Sequence, residues 1–209
     1  MLEIFLPAFV TLFVTVDPVS IIPIFVSLTL GASRAHKIRM ALMGCLIATV
    51  LLLLFGLVGQ SLLDNFGITL PAFRVAGGVL LFLIALEMLF SRRNERKSKS
   101  AEEIHDHYEP DDISVFPLAI PLLCGPGAIA SIMLLTADQS GNPAGQAVVL
   151  VAGVVVMLIG AILLVLAARF QHFIPSTVSN IITRLLGMLL AALSVQFIFD
   201  GLKAFFIVG

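Results

Sequence analysis

Long apolar runs separated by short polar stretches dominate the chain. Six of the runs are long enough to cross a bilayer, which takes roughly 20 apolar residues in a helix. They cover about residues 4–30, 41–63, 70–90, 113–137, 144–168 and 181–206. The runs are continuous rather than alternating, which excludes a membrane β-barrel. The pattern predicts an all-α polytopic membrane protein with six transmembrane helices.

Composition agrees and narrows the classes. Of 209 residues, 59% are hydrophobic and 12% charged, and the mean hydropathy is +1.11. Soluble domains sit near half apolar and a quarter charged, so a water-soluble enzyme, a disordered chain and a nucleic-acid binder are all ruled out. Lipid is therefore an expected partner and nucleic acid is not. Twelve of the 25 charges fall between residues 91 and 112. That stretch reads as a solvated connector, and it divides the chain into residues 1–90, 91–112 and 113–209. His105 and His107 flank Asp106 in the connector, but without a wider ligand cluster they do not make a metal site. Cys45 and Cys124 lie alone inside apolar runs and read as small packing residues. The opening MLEIFLPAFV has no basic residue before its apolar stretch and carries Glu3, so it reads as a span rather than a signal peptide.

Basic residues set an orientation. One set of loop ends holds Arg34, Lys37, Arg39, the five basic residues of 92–99, Arg169 and Arg184, against Arg74 and Lys203 on the other. The ten-to-two split predicts a cytoplasmic 91–112 connector with both termini outside. The halves also resemble each other at a shift of 108–110 residues. Asp17-Pro18 falls on Gly125-Pro126, and Arg74 to Gly77 falls on Arg184 to Gly187. Each half has an odd number of spans, so the second copy is expected upside down, as in many secondary transporters.

The first and fourth spans carry the helix breakers. Span one holds Asp17, Pro18, Ser20 and Pro23, and span four holds Pro117, Pro121, Gly125, Pro126 and Gly127. Proline lacks an N–H and clashes with the carbonyl four residues earlier. Pro18 therefore frees the Val14 carbonyl, and Pro23 that of Val19. Freed groups cannot face lipid, so both breaks are expected at mid-membrane around one cavity. A half-helix starting at Pro126 aims the amides of Gly127 and Ala128 at that cavity, a fit for a carboxylate. Asp17 and the freed carbonyls offer the opposite polarity. Asp17 reads either as the N-cap of the helix starting at Pro18 or as a coupling group for Na⁺ or H⁺. The expected substrate-binding set is Asp17, Pro18, Ser20, Pro23, Gly125, Pro126, Gly127 and Ala128, with Asp17 as ion-coupling residue. Thr11, Thr15 and Ser131 are further hydroxyls available to the cavity.

The remaining polar residues have simpler readings. Arg74 and Arg184 read as interfacial snorkels, Asp200 and Lys203 as a pair one turn apart, and Glu87 as a neighbour of Arg92. Gly77, Gly78, Gly187 and Ala191 read as close helix-packing positions. The spans contain no histidine and no paired carboxylates, so no enzyme is expected, and no cofactor beyond a coupling Na⁺ or H⁺. A secondary transporter of small zwitterionic solutes fits best. A passive channel built on facing half-helices is the alternative. Oligomeric state is left open, with a homo-oligomer compatible.

The motifs VDPVSIIPIF, FGITLPAFRVAGG, PLAIPLLCGPGAIAS and ITRLLGMLLAAL resemble those of the MarC-related membrane proteins, also called six-span neutral amino acid transporters. Together they touch nearly the whole chain. The resemblance implies a bacterial inner-membrane protein. For some members it implies cation-coupled uptake of glycine, alanine and related amino acids. For others an older label implies export linked to antibiotic resistance. It points to Asp17, Pro18 and Pro23 in the first break and Gly125, Pro126 and Gly127 in the second. The chain departs from the family pattern at Ser20, where glycine is frequent, and at Cys124, where alanine is usual.

Overall fold

The computed structural model describes residues 1–90, 92–93, 95–99, 112–170 and 176–208. Among them there are helices and no strand. The first apolar run forms two helices, α1 (Leu2–Val16) and α2 (Pro18–Leu28), joined at Asp17. Unbroken helices α3 (Arg34–Asn65) and α4 (Leu70–Leu89) follow. A short basic arm is helical at 92–93 and 95–99. The fourth run consists of an irregular proline segment, Ser114–Leu123, and helix α5 (Pro126–Asp138), bent by 59° relative to one another. Helices α6 (Pro143–Arg169) and α7 (Ser176–Val208) complete the chain. Among the described residues, five helical stretches are long and apolar enough to cross a membrane, and six when the bent pair counts as one.

Local chemistry explains the ends. The side chains of Ser33, Thr69 and Asn142 accept hydrogen bonds from the amides of His36, Ala72 and Gly145, capping α3, α4 and α6. Pro18, Pro71, Pro126 and Pro143 sit in first turns, where a missing N–H costs nothing. Gly67 turns the chain after α3 at φ 66°, a left-handed conformation that suits glycine.

The broken helices lie innermost. In the most apolar window of Leu2–Leu28, 72% is buried, against 22% to 39% for the four unbroken spans. Helix α5 is buried at nearly every position from Gly127 to Ala137 and packs on α1, α3, α4 and α6. Backbone irregularity belongs inside, because lipid offers no hydrogen bonds. The unbroken helices instead turn large apolar side chains outward, as α3 does with Leu42, Leu46, Val50, Leu54 and Leu57. Its inner face is small, with Ala41, Gly44, Ala48, Gly56 and Gly59. Packing between apolar helices in lipid relies on such close approach.

Helices α4 and α7 make the closest pair. A Cβ at Gly78 would lie 2.9 Å from the Ser194 carbonyl oxygen, and one at Gly187 would lie 2.8 Å from Met88 Cβ. Ala191 packs in the same small cluster as Leu81, Ala85 and Met88. The readings of Gly78, Gly187 and Ala191 as packing positions hold, and Gly77 meets Leu134 of α5 instead of α7. Cys45 and Cys124 are both buried and free.

Two side-chain expectations need correction, and Arg74 gains a partner: its Nε donates to Asp138 Oδ1 at 2.7 Å, and its Nη2 donates to the same oxygen. Asp200 accepts from Gln196 Nε2 at 2.9 Å rather than pairing with Lys203. Glu87 pairs with Arg96 at 2.6 Å, one turn further along the arm than Arg92. His105 and His107 lie outside the described residues.

Candidate functional site

The first break turns on one residue. Asp17 is the single non-glycine residue at positive φ among the described residues, at φ 52° and ψ 62°. Aspartate tolerates this left-handed conformation better than most side chains. Its amide closes α1 on the Phe13 carbonyl at 2.9 Å, and Pro18 then starts α2. The capping expectation is corrected here. The carboxylate caps no backbone amide of α2; Oδ2 accepts the Ser20 hydroxyl instead. A β-region φ, which an N-cap needs, is absent at Asp17. Ser20 Oγ also lies 2.7 Å from Thr183 Oγ1, so the network ties α2 to α7. Asp17 is fully buried, and its Oδ1 has no hydrogen-bond partner among the described residues.

The carbonyls exposed by the break find cationic partners. Arg93 Nη2 donates to the Thr15 carbonyl, and Lys97 Nζ donates to the Val16 carbonyl at 3.1 Å. Arg93 Nε lies 4.0 Å from Asp17 Oδ2, and Nη1 reaches Met88 Sδ at 3.1 Å. These contacts bring the basic arm that follows α4 back onto the break. The basic arm is therefore no free connector at this point, since Arg93 is 4% exposed. Burial pushes the Lys97 ammonium down to about 7; repulsion from Arg93 adds to this, and Asp17 opposes it.

The second break is built differently. Phe116 and Ile120 are extended, each preceding a cis proline, Pro117 and Pro121. The Leu118 and Cys124 amides donate to carbonyls five residues back, at 3.1 Å and 2.9 Å. At Gly125 a Cβ would lie 2.9 Å from the Pro121 carbonyl oxygen, so glycine permits the close return of the chain. Helix α5 then starts at Pro126 with no side-chain cap on its amides.

The two breaks meet at Gly160 of α6. A Cβ there would contact Pro18 Cβ at 3.6 Å and Leu123 Cδ2 at 3.9 Å. Beside them lies a cavity of about 520 Å³. Thr15 borders it from the first break, and Pro121, Gly125, Pro126, Gly127 and Ala128 from the second. Arg92, Arg93, Arg96 and Lys97 face Glu87 across the same wall. Four expected residues therefore reach the wall: Gly125, Pro126, Gly127 and Ala128. Asp17, Pro18 and Ser20 are buried behind it. Pro23 is exposed on the outside of α2, because five residues from Pro18 is about 140° around a helix. Thr15 spends its hydroxyl on the Thr11 carbonyl at 2.9 Å, whereas the buried Ser131 Oγ has no partner among the described residues.

The family model described as MarC family integral membrane protein matches residues 2–206. The chain belongs to the MarC family. It is 40% identical to the UPF0056 membrane protein MJ0972 of Methanocaldococcus jannaschii over 96% of this chain and 87% of that relative. It is 35% identical to the UPF0056 membrane protein YvbG of Bacillus subtilis, covering 95% and 93% of the two chains. For the UPF0056 membrane protein YhcE of Escherichia coli the identity is 34%, covering 95% and 91%. No solved structure matches.

In this MarC-family chain, three site residues escape a reading of the sequence: Arg93, Lys97 and Thr183. The arginine and lysine count toward topology in the sequence, but nothing local says they fold back onto α1. Thr183 lies 163 residues from Ser20, and no periodicity links them. Ser20 supplies the hydroxyl that joins Asp17 to Thr183.

Proposed function

We propose that the protein is a secondary transporter of small solutes, neutral amino acids such as glycine or alanine foremost, driven by a Na⁺ or H⁺ gradient. The observation that carries this reading is the meeting of two helix breaks beside one cavity. The cavity volume lies within the range of small-molecule sites. Its wall ends α5 in unpaired amides at Gly127 and Ala128, where a carboxylate is favoured. Basic side chains outnumber acidic ones on the same wall, which supports a solute bearing a carboxylate. Asp17 and the break carbonyls supply oxygens for a coupling cation.

The corresponding positions of the two breaks, Asp17-Pro18 and Gly125-Pro126, support a three-plus-three inverted repeat. The ten-to-two split of basic residues supports an inner-membrane orientation with the arm cytoplasmic and both termini outside. The test is uptake of radiolabelled glycine and alanine by the purified protein in proteoliposomes, under imposed Na⁺ or H⁺ gradients. Accumulation above equilibrium is expected. Equilibration without accumulation makes the protein a passive channel, and no flux of any small amino acid overturns the reading.

A further inference from the structure

The oxygens gathered at the first break already hold cations, and the cations belong to the chain itself. The Asp17 carboxylate faces Arg93, the Thr15 carbonyl accepts from Arg93, and the Val16 carbonyl accepts from Lys97. Asp17 Oδ1 is buried and, among the described residues, unpartnered. We propose that Arg93 and Lys97 are a tethered surrogate for a small monovalent cation, occupying its site until the arm withdraws. This rests on the transport reading of the same site and adds its regulation.

Three features support the exchange. The ligand set is oxygen only, one carboxylate with two carbonyls, which suits a hard cation such as Na⁺. It carries one negative charge, enough to balance a monovalent ion and not a divalent one. The set also cannot hold both occupants. A sodium ion at Asp17 would lie within a few ångströms of the Arg93 guanidinium, and like charges that close repel strongly where water is scarce. Binding of one therefore displaces the other.

The geometry allows withdrawal without unfolding a span. The arm lies beyond the last residue of α4, Leu89. Among the described residues, the side-chain hydrogen bonds it makes besides those at the break are Arg96 to Glu87 and Arg93 to Met88 Sδ. Arg92 and Arg96 are exposed. A cation that binds only the open form shifts the arm by mass action, in proportion to its preference for that form.

The experiment uses the full chain in lipid nanodiscs, melted in a NaCl titration against choline chloride at constant ionic strength. Arg93→Met keeps an apolar stem against Met88 and removes the competing charge. The Na⁺ concentration giving half the thermal shift should fall at least tenfold relative to wild type, and Asp17→Asn added to it should abolish the shift. An unchanged midpoint in Arg93→Met overturns the proposal. Should that variant fail to fold, Lys97→Met is expected to give a smaller shift in the same direction. A thiol introduced by Lys97→Cys gives an independent readout. Its labelling rate should rise with Na⁺ and not with choline, and a rate indifferent to Na⁺ overturns the proposal. A Na⁺-dependent shift in a protein that accumulates no solute would sink the transport reading alone. Accumulation with Na⁺-independent melting and labelling would sink this inference alone.

Discussion

The Arg93 guanidinium lies 4.0 Å from the Asp17 carboxylate, 76 residues away in sequence, with the two side chains 5% and 0% exposed. The pair joins the basic arm to the break between α1 and α2. It places a positive charge where a helix has run out of amide donors. Removing one partner of a buried pair leaves the other charge uncompensated.

Asp17→Asn should therefore destabilise the protein by about 3 kcal/mol, the usual scale for breaking a buried pair. Asparagine still accepts from Ser20 and still tolerates φ 52°, so the fold should survive. Asp17→Ala should cost about 1–2 kcal/mol more, because alanine is disfavoured in the left-handed region. Denaturation of the reconstituted protein checks the order. Equal losses for the two variants would show that backbone conformation at Asp17 is unimportant. Cation-driven accumulation should disappear in both.

Gly160 separates the two breaks at ordinary contact distance. Gly160→Ala should fold and transport near the parental level, since its Cβ meets Pro18 and Leu123 at 3.6 Å and 3.9 Å. Gly160→Leu has no such room and should drive the breaks apart, cutting uptake at least tenfold. Initial uptake rates at matched protein amounts decide the matter, and a fully active leucine variant would dissociate the breaks from transport.

At the α4–α7 crossing a Cβ built at Gly78 would meet Ile198 Cγ1 at 2.7 Å and, close behind it, backbone. A Cβ at Gly78 would lie 2.9 Å from the Ser194 carbonyl oxygen and 3.1 Å from the Ile198 amide nitrogen. Gly78→Ala should lower stability by about 1–3 kcal/mol, the range for overpacking. Gly153→Ala, with Leu52 Cδ2 at 3.2 Å as its nearest contact, should cost less because a side-chain end can move. Melting of the two variants in one lipid composition tests the ranking.

Lys97 gives a pH signature. Its folded value is pushed down to about 7 by burial, with Arg93 adding and Asp17 opposing, whereas an unfolded lysine titrates near 10.4. Between those values the unfolded chain holds more protons, so stability rises with pH through that window. Below about 7 both states are protonated and the burial penalty is present in full. Thermal stability should therefore climb from pH 7 to 9 in the parent and stay flatter in Lys97→Met. Parallel slopes for the two proteins would rule out Lys97 as the source.

Six spans and two breaks are legible in the residues themselves. Apolar length sets whether a run crosses a bilayer, and a proline acts on the carbonyl four residues before it; both are local. The predicted run 70–90 accordingly differs from α4 by one residue at one end, and 144–168 differs from α6 by one residue at each end. The place of Gly125, Pro126, Gly127 and Ala128 on the cavity wall agrees with the same local rule, because lipid rejects freed backbone. Rotation and depth are not local. Pro18 and Pro23 are equal as helix breakers, yet one touches Gly160 and the other faces outward, since packing fixes which side of α2 turns in. Arg74 reads alone in the sequence, and only the fold brings Asp138 beside it from 64 residues away. The arm resembles a solvated connector until Arg93 and Lys97 donate to the carbonyls of Thr15 and Val16. Which cation meets which oxygen depends on how far each helix slides past its neighbour, and only the assembled bundle sets that distance.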